Sequence, residues 1–411
     1  MKRALIISCG GIPSPLNGAS TVVFFQYINA LLADDWNIEH KIFASQTSEN
    51  QREIDIYRQA VFKREHLKLE CIWEQPKVSF SVFGFWTSLS LQPCGQFKED
   101  EPPRFDAIIC FDTLALAIAK KLQLTPRITW LGDLQFQTVF YHALYDVKSN
   151  PFFLFKCFRS IFRSLGWRQI YKNLLRGEKF VIASSFSSER ILRSIGIDAK
   201  YQAFPWPETG FRDEQNERPK IPTFIFFGNL TALGSKSAFY FLMKKVYPLM
   251  IKEWGSMGFQ IIITGTRVAP KWVRKVLSRF PELDLRGFIE DLFSVVNQCH
   301  AVLVPIDVPV GNRTRIITAM SFKAVVIAHV NTSLGNPELR SNENCLLAES
   351  GIDFFNAMRL VVADSSVSKR IGCMARSTYE SCFSPPTATI RFLETVETVR
   401  SENGLSVGLN L

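Results

Sequence analysis

Two arginines in the segment "PVGNRTRIITAM", residues 309–320, are placed where they could bind an anion. The segment follows the apolar run "AVLVPIDV", which is typical of a strand, and an apolar-periodic run typical of a helix begins at Ile316. Gly311 lies in the turn between them, and Arg313 and Arg315 lie at the predicted helix N-terminus. Because the helix dipole already favours anions there, two added cations suit a phosphate-like ligand. The alternative is a pair of solvated surface arginines.

Two other strand-to-helix turns carry residues suited to ligand binding. In "GGIPSPLNGAST" the residues of interest are Gly11, Asn17 and Gly18, and Gly18 lets the backbone approach a ligand closely. The spacing is not G-x-G-x-x-G, so a dinucleotide is not indicated. In "FFGNLTALGSKSAFYFL" a strand ends at Gly228, and Lys236 near the following helix start can contact a phosphate oxygen. A plain turn and a solvated lysine are the alternatives.

A third loop, in "LRGFIEDLFSVVNQCHAVLVP", follows a short strand that ends at Gly287. The backbone at Phe288 and Ile289 could meet the edge of a nucleobase, although nothing in the residue types alone requires it.

The elements that must position these residues alternate between strand-like and helical patterns along the chain. Apolar runs such as "RALIISC", "FDAIICF" and "TFIFFGN" are each followed by helical periodicity, which indicates βαβ units and a parallel sheet. The polar stretch near residues 206–222 is typical of a linker. We therefore predict an α/β protein with two Rossmann-like domains facing a cleft. Their bounds are 1–205 for an N-terminal acceptor-side domain, 206–222 for the linker, 223–385 for a C-terminal domain, and 386–411 for a C-terminal helix and tail.

Composition excludes several classes of function. Nine scattered cysteines lack a C-x-x-C pair and five histidines lack metal-ligand spacing, so we expect reduced thiols, a cytoplasmic location and no metal or other cofactor. The apolar run after the N-terminal Met is too short for a signal peptide, and no transmembrane helix is predicted. The net charge is +10, and residues 151–180 hold seven basic and one acidic residue. A basic excess confined to one segment argues against nucleic acid as a partner.

The order of motifs from "FFGNL" through "IIITGT", "LRGFIEDLFSVVNQCHAVLVP", "VGNRTRIITAMSFKAVVIAH" and "GNPELRSNENCLLA" resembles the second half of GT-B glycosyltransferases of the group 1, family-4-like type. The Gly-rich first loop and "FVIASSFSSERILRSIGI" make the first half similar too. The resemblance covers nearly the whole chain and is strongest over residues 223–350. It implies retaining, metal-independent transfer of a sugar from a nucleotide-sugar, held mainly by the C-terminal domain, to an acceptor held by the N-terminal domain.

The resemblance also implies roles for individual residues. Arg315 stands where the family has a lysine and Arg313 matches the family's arginine, so both would bind the donor diphosphate, with Gly311 in the same turn and Lys236 as a further cation. Backbone at Phe288 and Ile289 would meet the base. Asp133, in "TWLGDLQF", lies where members often place a polar residue near the transferred sugar, and is the candidate catalytic residue.

The chain departs from the family pattern at the acidic positions of the same turn. The family usually has a glutamate, seven residues and a second glutamate, which meet the donor sugar and the ribose, and here Val310 and Thr318 occupy those positions. Asn229 stands where an arginine often follows the first glycine. Thr318 can still bond a hydroxyl, and Glu338 is the nearest carboxylate that could substitute; the alternative is a surface glutamate.

The basic segment contains an amphipathic pattern in "PFFLFKCFRSIFRSLG". At about 100° per residue the apolar side chains share one face, whereas Lys156, Arg159 and Arg163 cluster opposite. After Gly166 the phase shifts, so that Arg168 falls on the formerly apolar side, and a kink or two short helices is expected. The pattern suits an anionic membrane surface or a lipid-phosphate acceptor. The alternative is an ordinary domain helix with its apolar face in the core.

The function we predict is transfer of a sugar from a nucleotide-sugar to a glycan or lipid-linked acceptor, in the synthesis of cell-surface polysaccharide or glycolipid. The predicted location is cytoplasmic, with peripheral binding at the inner face of the membrane as an option. One alternative is a degenerate, non-catalytic GT-B protein that binds glycan or scaffolds polysaccharide assembly, which the loss of both acids favours. A sugar-nucleotide epimerase is a further alternative.

Overall fold

The computed structural model describes residues 2–15, 18–61, 65–73, 77–80, 87–90, 105–149, 154–212, 219–265, 273–274 and 277–408. The chain divides into two compact units, which we call unit 1 (Met1–Pro207 with Pro385–Leu411) and unit 2 (Glu208–Ser384). Each unit is built on its own parallel sheet with flanking helices, so the predicted α/β class is confirmed.

The described residues of unit 1 form nine strands. They are β1 (Lys2–Cys9), β2 (Trp36–Phe43), β3 (Leu67–Ile72), β4 (Lys77–Phe80), β5 (Thr87–Ser90), β6 (Ala107–Phe111), β7 (Arg127–Leu131), β8 (Val181–Ala183) and β9 (Ala199–Tyr201). Seven of them form a parallel sheet in the order β3-β2-β1-β6-β7-β8-β9, and β4 and β5 form a separate antiparallel pair. The central strands β1 and β6 are buried along most of their length, which explains why they appear in the sequence as continuous apolar runs.

The described helices of unit 1 cover this sheet. They are α1 (Ser20–Ala33), α2 (Ser48–Val61), α3 (Thr113–Lys121), α4 (Gln135–Ser149), α5 (Leu154–Leu175), α6 (Phe186–Ser194) and, after unit 2, the helix Pro385–Gly408. This last helix returns to unit 1, where the rings of Phe392 and Tyr27 pack with their centroids 4.1 Å apart. Lys2 forms an ion pair of 2.9 Å with Glu397 of the same helix.

Unit 2 has a six-stranded parallel sheet in the order β12-β11-β10-β13-β14-β15. Its strands are β10 (Thr223–Phe227), β11 (Gln260–Thr264), β12 (Leu283–Gly287), β13 (Ala301–Val304), β14 (Val326–His329) and β15 (Leu346–Ala348). Its described helices are α7 (Leu233–Phe241), α8 (Tyr247–Trp254), α9 (Leu292–Asn297), α10 (Thr314–Ser321), α11 (Gly351–Ala363) and α12 (Ser365–Thr378); the returning helix Pro385–Gly408 is α13. In both units every apolar run quoted above as a strand is a strand.

The basic amphipathic segment differs from its prediction. The expected pair of short helices is wrong, because α5 runs without interruption from Leu154 to Leu175 through Gly166; the alternative of a kink stays a prediction. In this helix Cys157 and Tyr171 are buried, whereas Phe155 and Phe158 are exposed. The helix therefore does not bury its whole apolar face in the core. Over the described residues no helix has the length and apolar character needed to cross a bilayer.

Candidate functional site

The carboxyl edge of the unit 2 sheet is formed by three glycines. Gly228, Gly265 and Gly287 follow or end β10, β11 and β12, and all have positive φ. The amide of Gly228 donates to Thr264 O at 3.0 Å, and that of Gly265 donates to Gly287 O at 2.8 Å. A Cβ on Gly265 would lie 2.6 Å from the nitrogen of Gly228, so only glycine permits this approach of the strand ends.

Arg315 lies against this glycine edge. Its Nη2 donates to the buried hydroxyl of Ser235 at 2.9 Å, and its guanidinium carbon lies 5.7 Å from the ring centroid of Phe226. A Cβ on Gly228 would be 2.6 Å from Nη2, so the guanidinium occupies the space that a larger residue there would fill. Nη1 is buried and has no hydrogen-bond partner in the described part of the chain. A buried guanidinium nitrogen of this kind is suited to a bound anion.

Arg313 brings a second positive charge to the same place. It is 8% exposed, and its Nη2 donates to Val308 O at 2.6 Å. Gly311, with φ of +78°, shapes the turn that precedes it. Burial, and then the charge of Arg313, lower the pKa of Arg315 to about 10. The sequence-based expectation that these residues lie at a helix N-terminus is confirmed, since Arg313 is the N-cap residue of α10 and Arg315 lies in its first turn.

Two helix N-termini meet the arginine pair. Neither α7 nor α10 has a side-chain hydrogen bond at its N-cap residue, Ala232 or Arg313. Ser235 and half-buried Lys236 lie in the first turn of α7, and no described residue forms a hydrogen bond or ion pair with the Lys236 side chain. Backbone N–H groups at uncapped helix N-termini are anion donors. This edge can therefore hold a diphosphate by fixed charges and amides.

The remaining donor-side candidates lie before and after these arginines in the sequence of unit 2. Thr318, one turn after Arg315, donates its hydroxyl to Thr314 O at 3.0 Å, and Val310 is buried. Phe288 is exposed and Ile289 half-buried in the loop after β12. Glu338 is half-buried, and its carbonyl accepts from Asn344. Their assigned roles stay predictions.

The carboxyl edge of the unit 1 sheet carries acids. Asp133 is exposed in the loop after β7, and Asp112 follows β6 as the N-cap residue of α3. Gly11 and Gly18 lie in the loop after β1; a Cβ on Gly18 would collide with Thr21, and one on Gly11 would lie 3.3 Å from Phe24. Asn17, the third residue predicted in that loop, lies outside the described residues.

Asp112 is a candidate that the sequence analysis missed. Its φ of +79° and ψ of +165° are a strained combination for a residue with a side chain. Its carboxylate accepts from Thr113 N at 2.6 Å, and burial, together with the charge of Asp133, raises its pKa. The pKa of the buried Tyr171 hydroxyl is raised by burial and then by Asp112, so these groups share one environment. Strain and a perturbed pKa at a sheet edge are features of functional sites.

The four basic residues predicted on α5 are all exposed, namely Lys156, Arg159, Arg163 and Arg168. Lys156 pairs with Asp146 of α4 at 3.2 Å. These four residues lie in a different segment of the sequence from the residues of the two sheet edges. Among the described residues there is no group of three or more His, Cys, Asp or Glu side chains arranged to hold a metal ion.

Comparison with known proteins finds one matching family model and several similar solved structures. Residues 221–364 match the family model described as "Glycosyl transferases group 1". Similar solved structures include sucrose-phosphate synthase from Thermosynechococcus elongatus, with a TM-score of 0.64, 12% identity, and coverage of 98% of this chain and 100% of that chain. No curated protein matches the chain by sequence.

Two further structures are similar over the same extent. HepE from Anabaena, in complex with UDP, has a TM-score of 0.64 and 15% identity over 97% of this chain and 100% of that chain. TarM from S. aureus, in complex with Fondaparinux, alpha-GlcNAc-glycerol and UDP, has a TM-score of 0.64 and 10% identity over 96% of this chain and 100% of that chain. The chain thus has the GT-B glycosyltransferase fold. The residues that match the group 1 glycosyltransferase model, 221–364, contain both arginines.

Proposed function

We propose that the protein is a glycosyltransferase that uses a nucleotide-sugar donor. The observation that carries this proposal is Arg315, a half-buried cation beside Arg313 whose buried Nη1 lacks a hydrogen-bond partner among the described residues. Holding two like charges together away from water costs free energy. An anionic ligand offsets that cost, and a donor diphosphate fits two arginines and two helix N-termini.

The chemistry follows from where charge develops. The bond between the anomeric carbon and the diphosphate oxygen breaks, and a bond to an acceptor hydroxyl oxygen forms as that hydroxyl loses its proton. Arg313, Arg315 and Lys236 would stabilise the negative charge on the departing diphosphate, so we propose transfer that needs no metal. We propose retention of anomeric configuration, with Asp133 as the catalytic residue near the transferred sugar and Asp112 beside it in unit 1.

We propose uridine diphosphate sugars as the first donors to try. HepE and TarM have been solved with UDP, and HepE also with UDP-glucose. In this chain the backbone at Phe288 and Ile289 would meet the base, and Thr318 would replace the usual carboxylate at the ribose with a weaker hydroxyl contact. Val310 would line the sugar subsite, with Gly228 at the diphosphate and Glu338 as the nearest compensating acid.

We propose a glycan or lipid-linked acceptor, bound by unit 1 through the loop of Gly11, Asn17 and Gly18. The TarM structure holds Fondaparinux and alpha-GlcNAc-glycerol, which supports a carbohydrate acceptor. Such a reaction belongs to the synthesis of cell-surface polysaccharide or glycolipid, by a cytoplasmic protein that works at the inner face of the membrane.

The test is nucleotide-induced thermal stabilisation of the full chain with UDP, GDP and ADP. At about one hundred times its Kd a nucleotide stabilises the native state by about 2.7 kcal/mol, which raises Tm by a few degrees. We expect one nucleotide to raise the Tm of the wild type, and Arg313→Ala or Arg315→Ala to abolish that rise. Arg359→Ala, an exposed arginine of the same unit, is the matched control and should keep it. An equal rise in all three variants would refute the proposal.

A non-catalytic glycan-binding protein is the second candidate, because Val310 is buried and apolar where the family has an acid. A panel of nucleotide sugars separates the two. Donor turnover or slow hydrolysis, lost in Arg315→Ala, supports the enzyme, whereas nucleotide protection without turnover of any donor supports the binding protein. Product analysis without an acceptor detects an epimerase.

A further inference from the structure

An exposed apolar surface lies at one end of the α4–α5 helical pair in unit 1. Leu154, Phe155, Phe158 and Leu165 of α5 are 65%, 80%, 60% and 53% exposed, and Leu144 of α4 is 42% exposed. We call these five residues the apolar tip. Ordinary surface hydrophobics are scattered singly, whereas two adjacent, largely exposed phenylalanines form a contiguous patch.

The apolar tip results from the way α5 is oriented. At about 100° per residue, the face that contacts the protein is centred on Cys157, Ser164 and Tyr171. Ser164 fixes this orientation, since its hydroxyl donates to Phe136 O of α4 at 2.7 Å, and Cys157 and Tyr171 are buried. The apolar arc through Leu154, Phe155, Phe158 and Leu165 then lies roughly 100° away, toward water.

Positive charge flanks the apolar arc. The sequence of α5 contains five basic residues and no acid. Arg159 and Arg163 are exposed at about 140° and 180° on the same helical wheel, counted from Leu154, so they border the phenylalanine side directly. Lys156 is also exposed, and it pairs with Asp146 of α4.

The last turns of α5 continue the charge beyond the apolar arc. Arg168 and Lys172, with Gln169 and Leu165, line a surface depression of about 520 Å³ that Ser194 and Ile195 of α6 close. Two cations beside polar side chains in a shallow depression suit a phosphate headgroup. Apolar and basic surfaces therefore follow each other along one helix.

We propose that this surface docks unit 1 on a bilayer that contains anionic lipid. Phe155, Phe158 and Leu154 would enter the boundary between headgroups and acyl chains, while Arg159, Arg163 and the depression would bind lipid phosphates. Charge complementarity favours a bilayer over a protein partner, because phenylalanine flanked by exposed arginine is the pattern of interfacial helices. The proposal stands whether or not the chain transfers a sugar, since it rests on residues outside both candidate edges.

The test is co-sedimentation of the full chain with vesicles of phosphatidylcholine alone and of phosphatidylcholine with phosphatidylglycerol. We expect binding only to the second kind. Because basic residues near the bilayer surface attract anionic lipid, Arg159→Glu with Arg163→Glu should lower vesicle affinity about tenfold or more. Phe155→Ser with Phe158→Ser should lower it by a similar factor while leaving the charge unchanged.

Arg52→Glu with Arg58→Glu on α2 is the matched control, because it changes net charge equally on exposed residues elsewhere in unit 1. It should keep vesicle binding close to wild type. Nucleotide-induced stabilisation measured on each variant separates loss of docking from loss of folding, and from failure of the proposed donor site.

Three results would overturn the proposal. One is an absence of wild-type binding to the anionic vesicles. Another is an equal loss in the α2 control, which would indicate bulk charge alone. The third is self-association in sedimentation velocity that the double serine variant abolishes while vesicle binding is unchanged, which would assign the apolar tip to a second copy of the chain.

Discussion

The carboxyl edges of the two sheets carry charges of opposite sign. In unit 2 the edge holds Arg313 and Arg315 beside glycine backbone, and in unit 1 it holds Asp112 and Asp133. In both edges burial disfavours the charged form, because the pKa of the Arg315 guanidinium is lowered and that of the Asp112 carboxyl is raised. Each edge therefore keeps a charge at a cost to stability.

The opposite charges of the two edges suggest that unit 2 suits the leaving group of a group transfer and that unit 1 suits the acceptor hydroxyl. Buried cations at helix N-termini stabilise an anionic leaving group. A carboxyl with a raised pKa suits proton exchange with a hydroxyl. Under the proposed function, equivalent sheet edges of one fold would differ in function through a few side chains, and substitutions at those side chains should affect one function at a time.

The largest expected effect is that of Gly228→Val. Its Cβ would lie 2.6 Å from Nη2 of Arg315, so the guanidinium must leave its place against Ser235. Loss of the charge-assisted hydrogen bonds from one arginine corresponds to about a hundredfold or greater loss of nucleotide affinity. Isothermal titration with the nucleotide that stabilises the wild type measures this.

Gly255→Val is the control for Gly228→Val. Gly255 also has a positive φ, of +74°, but a Cβ there meets nothing within 4 Å. Gly255→Val therefore reports backbone strain alone, and it should lower the free energy of unfolding by about 1–3 kcal/mol without changing nucleotide affinity. If both variants lost affinity equally, contact with Arg315 would not be the cause.

Much of the fold could be predicted because its central strands are buried on both faces. Strands such as β6 and β10 are uninterrupted apolar runs in the sequence, and all of their residues are buried in the structure. The strand β2 was not named in the sequence analysis because Glu39, His40 and Lys41 interrupt it. Two of its polar side chains find partners that are distant in the sequence, since His40 bonds Ser8 and Lys41 bonds Glu70. Sequence alone does not show such partners.

The candidate site could be predicted only where its residues are close together in the sequence. A turn with glycine and two arginines before a helix is visible in the sequence, and its placement at the N-terminus of α10 is confirmed. Ser235 was missed because its contact with Arg315 spans 80 positions. Asp112 was missed because its positive φ is a property of the backbone; the visible signal was a carboxylate directly after the run "IICF".

A smaller effect is expected for Arg315→Lys. Lysine keeps the charge but presents a single ammonium in place of the planar guanidinium that reaches Ser235. Nucleotide affinity should fall about tenfold, less than for Arg315→Ala. Titration of both variants, with Arg359→Lys as an exposed control in unit 2, checks the order. Equal affinities of Arg315→Lys and wild type would mean that only net charge matters at this edge.

The smallest expected effect is on stability, from Asp112→Asn. The raised pKa means that the folded protein binds more protons than the unfolded chain between the two pKa values, so the free energy of unfolding falls as pH rises through that interval. Asparagine has no such titration, tolerates a positive φ and can still accept from Thr113 N. At neutral pH the variant should therefore be more stable than the wild type, and the gap should close as pH falls toward the ordinary pKa of an aspartate.

Urea unfolding of wild type and Asp112→Asn across this pH range measures the gap. Asp133→Asn, at an exposed carboxyl, should show a smaller gap.

Asp112→Asn also tests whether the two sheet edges have separate functions. If Asp112 serves the acceptor side, Asp112→Asn should lose turnover while keeping nucleotide-induced stabilisation, because the arginine edge of unit 2 is untouched. A variant that gains stability and loses turnover would show that the strain and burial of Asp112 are retained for function. Full turnover together with the stability gain would remove Asp112 from the acceptor side.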